Sequence, residues 1–334
     1  MFSKNEIDKL IHLIHNSNRI IICSHRSPDG DAIGSILAIY NFITLNFPDK
    51  VVFPILPDRC PEYLTFLPNS DKFLNPDEHI EIINQAFNTA DIIIAVDFNE
   101  SNRLGALENL FFISKAHKIF IDHHPFTNDT NYELLFHDEN ASAASELVYY
   151  VLKAIGFESF NYDIVLPIYV GIITDTGSLS FNCNLPQTYS VLSEIIKYNI
   201  DAKNIHNLIY NNFPVERMKL FAHVLYNKLV INVDKKYSYY SLTKEELEEF
   251  GYRDGYLEGV VNYALNIRGI EVTAAFVELN NVVKISFRSK NNINVNEIAK
   301  TYFNGGGHKN AAGANYNKSI NDAIELFVEV IESI

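Results

Sequence analysis

Three short runs of β-branched and apolar residues each end on a cluster of acids or imidazoles, and this pattern restricts the chain more than any other feature. Ile20-Ile21-Ile22-Cys23-Ser24 runs into His25-Arg26-Ser27-Pro28-Asp29-Gly30-Asp31. Asp91-Ile92-Ile93-Ile94-Ala95-Val96 ends on Asp97, and Lys118-Ile119-Phe120-Ile121 ends on Asp122-His123-His124. In an open α/β sheet the carboxyl ends of parallel strands converge on one crevice, where ligands bind. Three such clusters on one rim predict a site for hard divalent cations.

The segments between these runs alternate in kind. Ile7, Leu10, Ile11 and Ile14 share a helical face, and a helix carrying Ile33, Ile36, Leu37 and Tyr40 follows the Pro-Asp-Gly-Asp loop. Residues 51–56 read as a strand and 141–152 as a helix. From Val165 to Ile173 apolar pairs recur every four residues, which puts Thr174-Asp175-Thr176-Gly177 at a helix end with Gly177 as the stop signal. Repeated strand–helix alternation predicts an α/β fold, with a doubly wound, mainly parallel sheet over residues 1–185. Residues 186–235 read as a helical connector punctuated by Pro186 and Pro214. Strand-like pieces return at 237–242, 271–279 and 282–287, with helical stretches near 256–267, 294–303 and 320–333. Residues 236–334 thus form a smaller α/β domain with a mixed sheet, and a cleft is expected between the two domains. Asn280-Asn281 is a hairpin signal.

Length and composition agree with this plan. A chain of 334 residues suggests two domains, and 47% hydrophobic with 13% aromatic content supports packed cores. No apolar stretch reaches the roughly 18 residues of a membrane span, and the start of the chain lacks a secretory pattern. Cys23, Cys60 and Cys183 are too widely spaced for a zinc site or a disulfide framework, so a reducing cytoplasm is the expected compartment and no membrane partner is expected. A formal charge of −14 argues against a broad grip on long nucleic acid, which needs many cationic contacts to phosphate. Bound divalent ions would invert the local field and draw in small phosphorylated ligands. A homodimer is compatible with the sequence, which carries no signal for it.

The candidate ligands are His25, Asp29, Asp31, Asp97, His123, His124 and Asp175. Carboxylates and imidazoles without thiolates suit Mn²⁺ or Mg²⁺. Asp29 and Asp31 flank Gly30 in a loop, so their side chains can turn toward different ions. Two-metal hydrolysis holds its cations roughly 3.5–4 Å apart, and Asp97, alone at a strand end, is the candidate bridge. Each cluster has a plain structural reading: Asp-Gly after Pro28 is turn chemistry, Asp31 could be a helix cap, a His-His pair could be packed imidazole, and Asp175 could close a turn. Four clusters at the ends of four apolar elements are not explained that way. Further along, Gly305-Gly306-Gly307 can turn backbone N–H groups onto an anion. His308 adds a donor, and Arg288 beside Ser289 can fork onto phosphate oxygens. Arg103 is a further candidate contact, whereas an arginine such as Arg268 is more often a solvated surface charge.

At these residues the chain resembles the DHH phosphoesterase superfamily, named for the tripeptide seen here as Asp122-His123-His124. The first motif is 24–35, the second Ala95-Val96-Asp97 with Arg103-Leu104-Gly105, the third 121–125 and the fourth 173–177. Ser286-Phe287-Arg288-Ser289-Lys290 and residues 305–313 are similar to the associated DHHA1 substrate-binding domain. The pattern is most similar to the branch of bifunctional oligoribonucleases and 3′-phosphoadenosine-5′-phosphate (pAp) phosphatases. The resemblance implies one ion on His25, Asp29 and Asp97, and a second on Asp31, Asp97, His123 and Asp175. It implies that Asp122 orients a histidine ring and that His124 faces the substrate and supports the leaving oxygen. It further implies hydrolysis of short RNA or DNA oligonucleotides, including linear dinucleotides such as pApA, and of pAp, with two Mn²⁺ or Mg²⁺ ions activating a water. Three other readings compete. A DHH-type inorganic pyrophosphatase would be expected to lack the Gly-Gly-Gly-His segment, and a single-strand exonuclease to carry further binding modules. A nucleotide-sensing module without turnover would be favoured by a missing ligand, yet all seven positions are filled.

Overall fold

The computed structural model describes residues 2–125, 132–156, 160–253, 255–279 and 282–333; the side chain of His308 also lies outside the description. The chain forms two compact units, Met1–Asn212 and Phe213–Ile334.

In the first unit the elements are α1 (Lys4–Asn16), β1 (Arg19–Cys23), α2 (Gly30–Asn46), β2 (Val51–Ile55), α3 (Pro76–Thr89), β3 (Ile92–Val96), α4 (Glu108–Ile113), β4 (His117–Asp122), β5 (Leu134–His137), α5 (Ala144–Ile155), α6 (Tyr162–Asp175), α7 (Pro186–Ile195) and α8 (Ala202–Tyr210). The strands form one sheet in the order β2-β1-β3-β4-β5, parallel throughout. Alternate residues enter opposite layers, as the pleat requires. Ile20 and Ile22 join the core against α1, α2, α5 and α6, while Ile21 and Cys23 join Ile83, Phe87 and Phe111 on the other face. The strand order reverses between β1 and β3, the switch point at which open α/β sheets bind ligands. His25 and Asp97 follow these two strands.

The contact of α2 with α6 depends on absent side chains. A Cβ on Gly34 would lie 2.4 Å from the Pro167 carbonyl oxygen, one on Gly30 2.3 Å from Thr174 Oγ1, and one on Gly171 2.9 Å from Asp31 Oδ1 and 2.3 Å from Ser145 Oγ of α5. Pro167 sits inside α6 and cannot donate to the carbonyl of Asp163. Asn41 of α2 supplies the missing donor, its Nδ2 lying 2.6 Å from that oxygen. Together these residues let the two helices approach closely, with Asp31 at the start of one and Asp175 at the end of the other.

The second unit contains α9 (Val215–His223), β6 (Val230–Asn232), β7 (Tyr237–Leu242), α10 (Lys244–Glu249), α11 (Val260–Leu265), β8 (Val272–Leu279), β9 (Val282–Ser289), α12 (Val295–Phe303), β10 (Gly306–His308), β11 (Ala311–Tyr316) and α13 (Ile320–Ser333). Its sheet runs β10-β11-β9-β8-β7-β6, with β7 and β8 parallel and the remaining pairs antiparallel. Leu279 pairs with Val282 across the expected hairpin, whose turn residues Asn280 and Asn281 lie outside the described residues. The helices expected as a connector divide between the units. Val191, Ile195, Ile205 and Ile209 of α7 and α8 join the first core, whereas Leu220 and Val224 pack with Tyr240 and Leu247 of the second.

Candidate metal centre

Asp29 caps the N-terminus of α2, its Oδ1 accepting from the N–H groups of Asp31 and Ala32 at 3.0 and 3.1 Å. Asp31, in the first turn of that helix, reaches a different one. Its two oxygens accept from the Ala144 and Ser145 N–H groups at 2.6 and 2.8 Å, at the positive end of α5. Asp97, just past β3, is 2% exposed and adopts a left-handed backbone, φ +62. That conformation carries strain of order 1–3 kcal/mol and is found mainly where function requires it, and Asp is among the residues that tolerate it. Asp122 ends β4, with His123 and His124 following; Asp175 ends α6, where Gly177 turns left-handed at φ +52.

The rings and acids interlock. His25 Nε2 lies 3.4 Å from Asp97 Oδ2, and its Nδ1 is 2.8 Å from the Arg26 carbonyl, which can only accept and so fixes the proton on Nδ1. His123 Nε2 is 3.6 Å from Asp97 Oδ1, 3.7 Å from Asp175 Oδ2 and 3.9 Å from Asp31 Oδ2, and its Nδ1 is 3.2 Å from the Ala141 carbonyl. His124 Nδ1 donates to Asp122 Oδ1 at 2.8 Å and lies 3.6 Å from Asp97 Oδ1. Among the described residues three groups could each hold a metal ion: His25, Asp29 and Asp97; Asp97, His123 and His124; and Asp31, His123 and Asp175. Asp97 and His123 each belong to two of the three.

The electrostatics are those of a site built around positive charge. Burial, reinforced by Asp31, Asp29, Asp175 and Asp122, holds Asp97 well above the usual carboxylate range. Burial pushes Asp175 up to about 8, with Asp31 and Asp29 adding to the rise and His123 opposing it. Asp31 is also raised, by burial first. Burial would lower His123, but Asp175, Asp31 and Asp122 overcome it and raise the imidazole; burial lowers His25. Burial works to raise Asp122, but its hydrogen bonds to His124 and the neighbouring charges of His124 and His123 together hold it below the usual range. Asp175 Oδ2 is buried and accepts no hydrogen bond among the described residues. An orphaned buried carboxylate oxygen, among oxygen and imidazole donors with no thiolate in any group, fits a hard divalent cation.

Residues 19–172 match the DHH family, N-terminal domain, and 234–334 match the DHHA1 domain. A probable bifunctional oligoribonuclease and PAP phosphatase NrnA of Streptococcus mutans is 30% identical over 308 residues, 91% of this chain and 92% of that one. The chain belongs to the DHH family. DHH proteins are phosphoesterases, so this one is a hydrolytic enzyme. The bifunctional oligoribonuclease and PAP phosphatase NrnA of Bacillus subtilis is 29% identical over 310 residues, 92% of each chain. An exopolyphosphatase-related protein from Bacteroides fragilis superposes with a TM-score of 0.93 at 33% identity, covering 99% of this chain and 96% of that one. The exonuclease RecJ bound to manganese, 12% identical with a TM-score of 0.53, shares the DHH fold across 98% of this chain.

The other expected site residues have varied surroundings. Arg103 follows β3, its carbonyl accepting from the Arg26 N–H at 2.7 Å, and its charge helps hold Asp29 below the usual range. In the second unit Arg288 lies on β9 and donates from Nη1 to the Phe287 carbonyl at 2.9 Å. Ser289 is buried, with its hydroxyl donating to the Ile293 carbonyl at 2.7 Å and accepting from Asn310 Nδ2 at 2.9 Å. The glycine run, expected to turn its amides onto an anion, is mostly strand: Gly306 and Gly307 pair with Gly313 and Ala312. A Cβ on Gly305 would lie 2.2 Å from the Gly313 carbonyl oxygen, and one on Gly307 2.5 Å from that of Ala311, so these two glycines serve close strand packing. Among the described residues, a Cβ on Gly306 would approach nothing closer than the Lys300 Cε at 3.8 Å. Sequence reasoning missed the carbonyls of Arg26 and Ala141 that orient His25 and His123, and the helix end that receives Asp31. The run Ala141-Ser142-Ala143-Ala144-Ser145, small residues just before a helix, was the signal for the last two.

Proposed function

We propose that this chain hydrolyses short oligonucleotides, dinucleotides above all, to nucleoside 5′-monophosphates, and pAp to AMP and phosphate. The observation that carries the reading is the set of three linked ligand groups at the sheet's switch point, sharing Asp97 and His123. Both reactions break the same bond, between phosphorus and a ribose 3′-oxygen, so one site can serve both. His25, Asp29 and Asp97 would hold one divalent cation, and Asp31, Asp97, His123 and Asp175 another; Mn²⁺ or Mg²⁺ suits the donors. When bound, such ions supply an activated water and neutralise charge on the phosphoryl oxygens. Asp122, ionised, holds the Nδ1–H of His124. As an imidazolium, with both ring nitrogens protonated, His124 would give the Nε2 proton to the departing 3′-oxygen and is assigned the role of general acid. Arg288, His308 and the backbone of 305–307 are assigned to the substrate phosphate remote from the reaction, with Gly306 as the residue whose bareness strand packing does not explain. Arg103 is assigned to the phosphate near His25. Ser289 would support Asn310 and the strand rather than touch substrate. A cytoplasmic location follows from such substrates; among the described residues no helix is long and apolar enough to cross a membrane.

The test is a rate comparison of purified protein with Mn²⁺ against pAp, pApA, a five-nucleotide RNA and longer strands, with inorganic polyphosphate as competitor. The dinucleotide and pAp should turn over fastest, and Asp97→Ala, folded by its melting curve, should be inactive on both. Rates that climb steadily with strand length, or polyphosphate as the best substrate, would displace this reading.

A further inference from the structure

We infer that His137 is a positioning residue for the DHH tripeptide, acting through the main chain of His124. The inference rests on the role proposed above for His124 as general acid. His137 ends β5, an edge strand, in register opposite Asp122. Its Nε2 lies 2.7 Å from the carbonyl oxygen of His124. A carbonyl can only accept, so Nε2 carries the proton and donates it. The segment leaving β4 is held at a second point from the β3 side, where Asn99 Nδ2 donates to the Pro125 carbonyl at 2.6 Å. The carbonyls of His124 and of Pro125 directly after it are therefore both pinned, while the His124 ring is fixed by Asp122. Side chains two residues past Asp97 and across from Asp122 thus set where the His124 ring points, without touching substrate.

The inference makes a distinctive prediction because a displaced acid matters in proportion to how poor the leaving group is. With pApA, His137→Leu should lower kcat roughly 10- to 100-fold, the range typical of residues supporting a catalytic centre, with little change in KM. With a p-nitrophenyl phosphodiester, whose leaving group needs no proton, the same variant should lose less than about threefold, since the general-acid contribution is what drops out. His137→Gln places an amide donor near the old Nε2 and should restore most of the pApA rate. His124→Ala is the reference: it should show the same leaving-group split. If His124→Ala shows the split and His137→Leu does not, His137 is merely structural. If His137→Leu slows both substrates equally and Gln does not rescue it, the positioning role is likewise overturned. If His124→Ala itself shows no split, the general-acid reading fails instead, and the two failures are told apart.

Discussion

Asp175 carries a carboxylate oxygen with no donor among the described residues and a pKa pushed up to about 8, and in metal-free protein these are liabilities. Between the ordinary aspartate value of 3.8 and about 8, the unfolded chain gives up a proton that the folded chain keeps. Stability from this group is therefore full at low pH and is lost as pH rises through that window. Asp175→Asn removes the dependence. Melting curves of chelator-treated protein should fall more steeply from pH 5 to 8 for the wild type than for the variant, with the variant more stable at pH 8. Added Mn²⁺ should reverse that order, since only the wild type regains a ligand. Parallel curves with and without metal would show that Asp175 is not part of the centre. Asp31 differs in kind: its two backbone donors keep it anchored whether or not an ion is present.

At the scale of elements, the helix pair α2 and α6 sets the distance across the site. Gly34→Ala puts a methyl group 2.4 Å from a backbone oxygen that can retreat only if the helices part. Overpacking of this kind costs roughly 1–3 kcal/mol, and denaturant midpoints should show it. Metal titration by calorimetry should weaken as well, because Asp31 and Asp175 ride on the separated helices. Gly306→Ala, with open space around it, should leave stability unchanged; equal losses in the two variants would contradict the close helix contact. The elements that frame the site were readable because β1, β3 and β4 are unbroken apolar runs with their chemistry at one end. β5 was not: Leu-Leu-Phe-His is too short to show a period, and so His137 went unnoticed. β10 was hidden because glycines carry no strand preference, and its pairing with β11 is decided by tertiary packing. Asp31 was readable as a candidate ligand, but its anchoring on α5 was not, because the amides it binds lie 113 and 114 residues away.

For the whole molecule, the cores divide as the units do. Those of the first unit run from Ile7 to Ile209, and those of the second from Leu220 to Val330. Each unit therefore has an apolar interior of its own, and a fragment spanning 213–334 is expected to unfold cooperatively. A fragment spanning 1–212 should bind Mn²⁺ in a calorimeter yet hydrolyse pApA poorly; full activity from it would remove any role for Arg288 and the glycine strand. The ligand set also has an order in time. His25, Asp29 and Asp31 come first in the chain, Asp97 and His123 later, and Asp175 last. During synthesis from the N-terminus, a ribosome that has delivered the first four strands has still not released the acid that completes the third ligand group. The full set of proposed ligands can therefore come together only once α6 has left the exit tunnel, with the whole second unit still to be made.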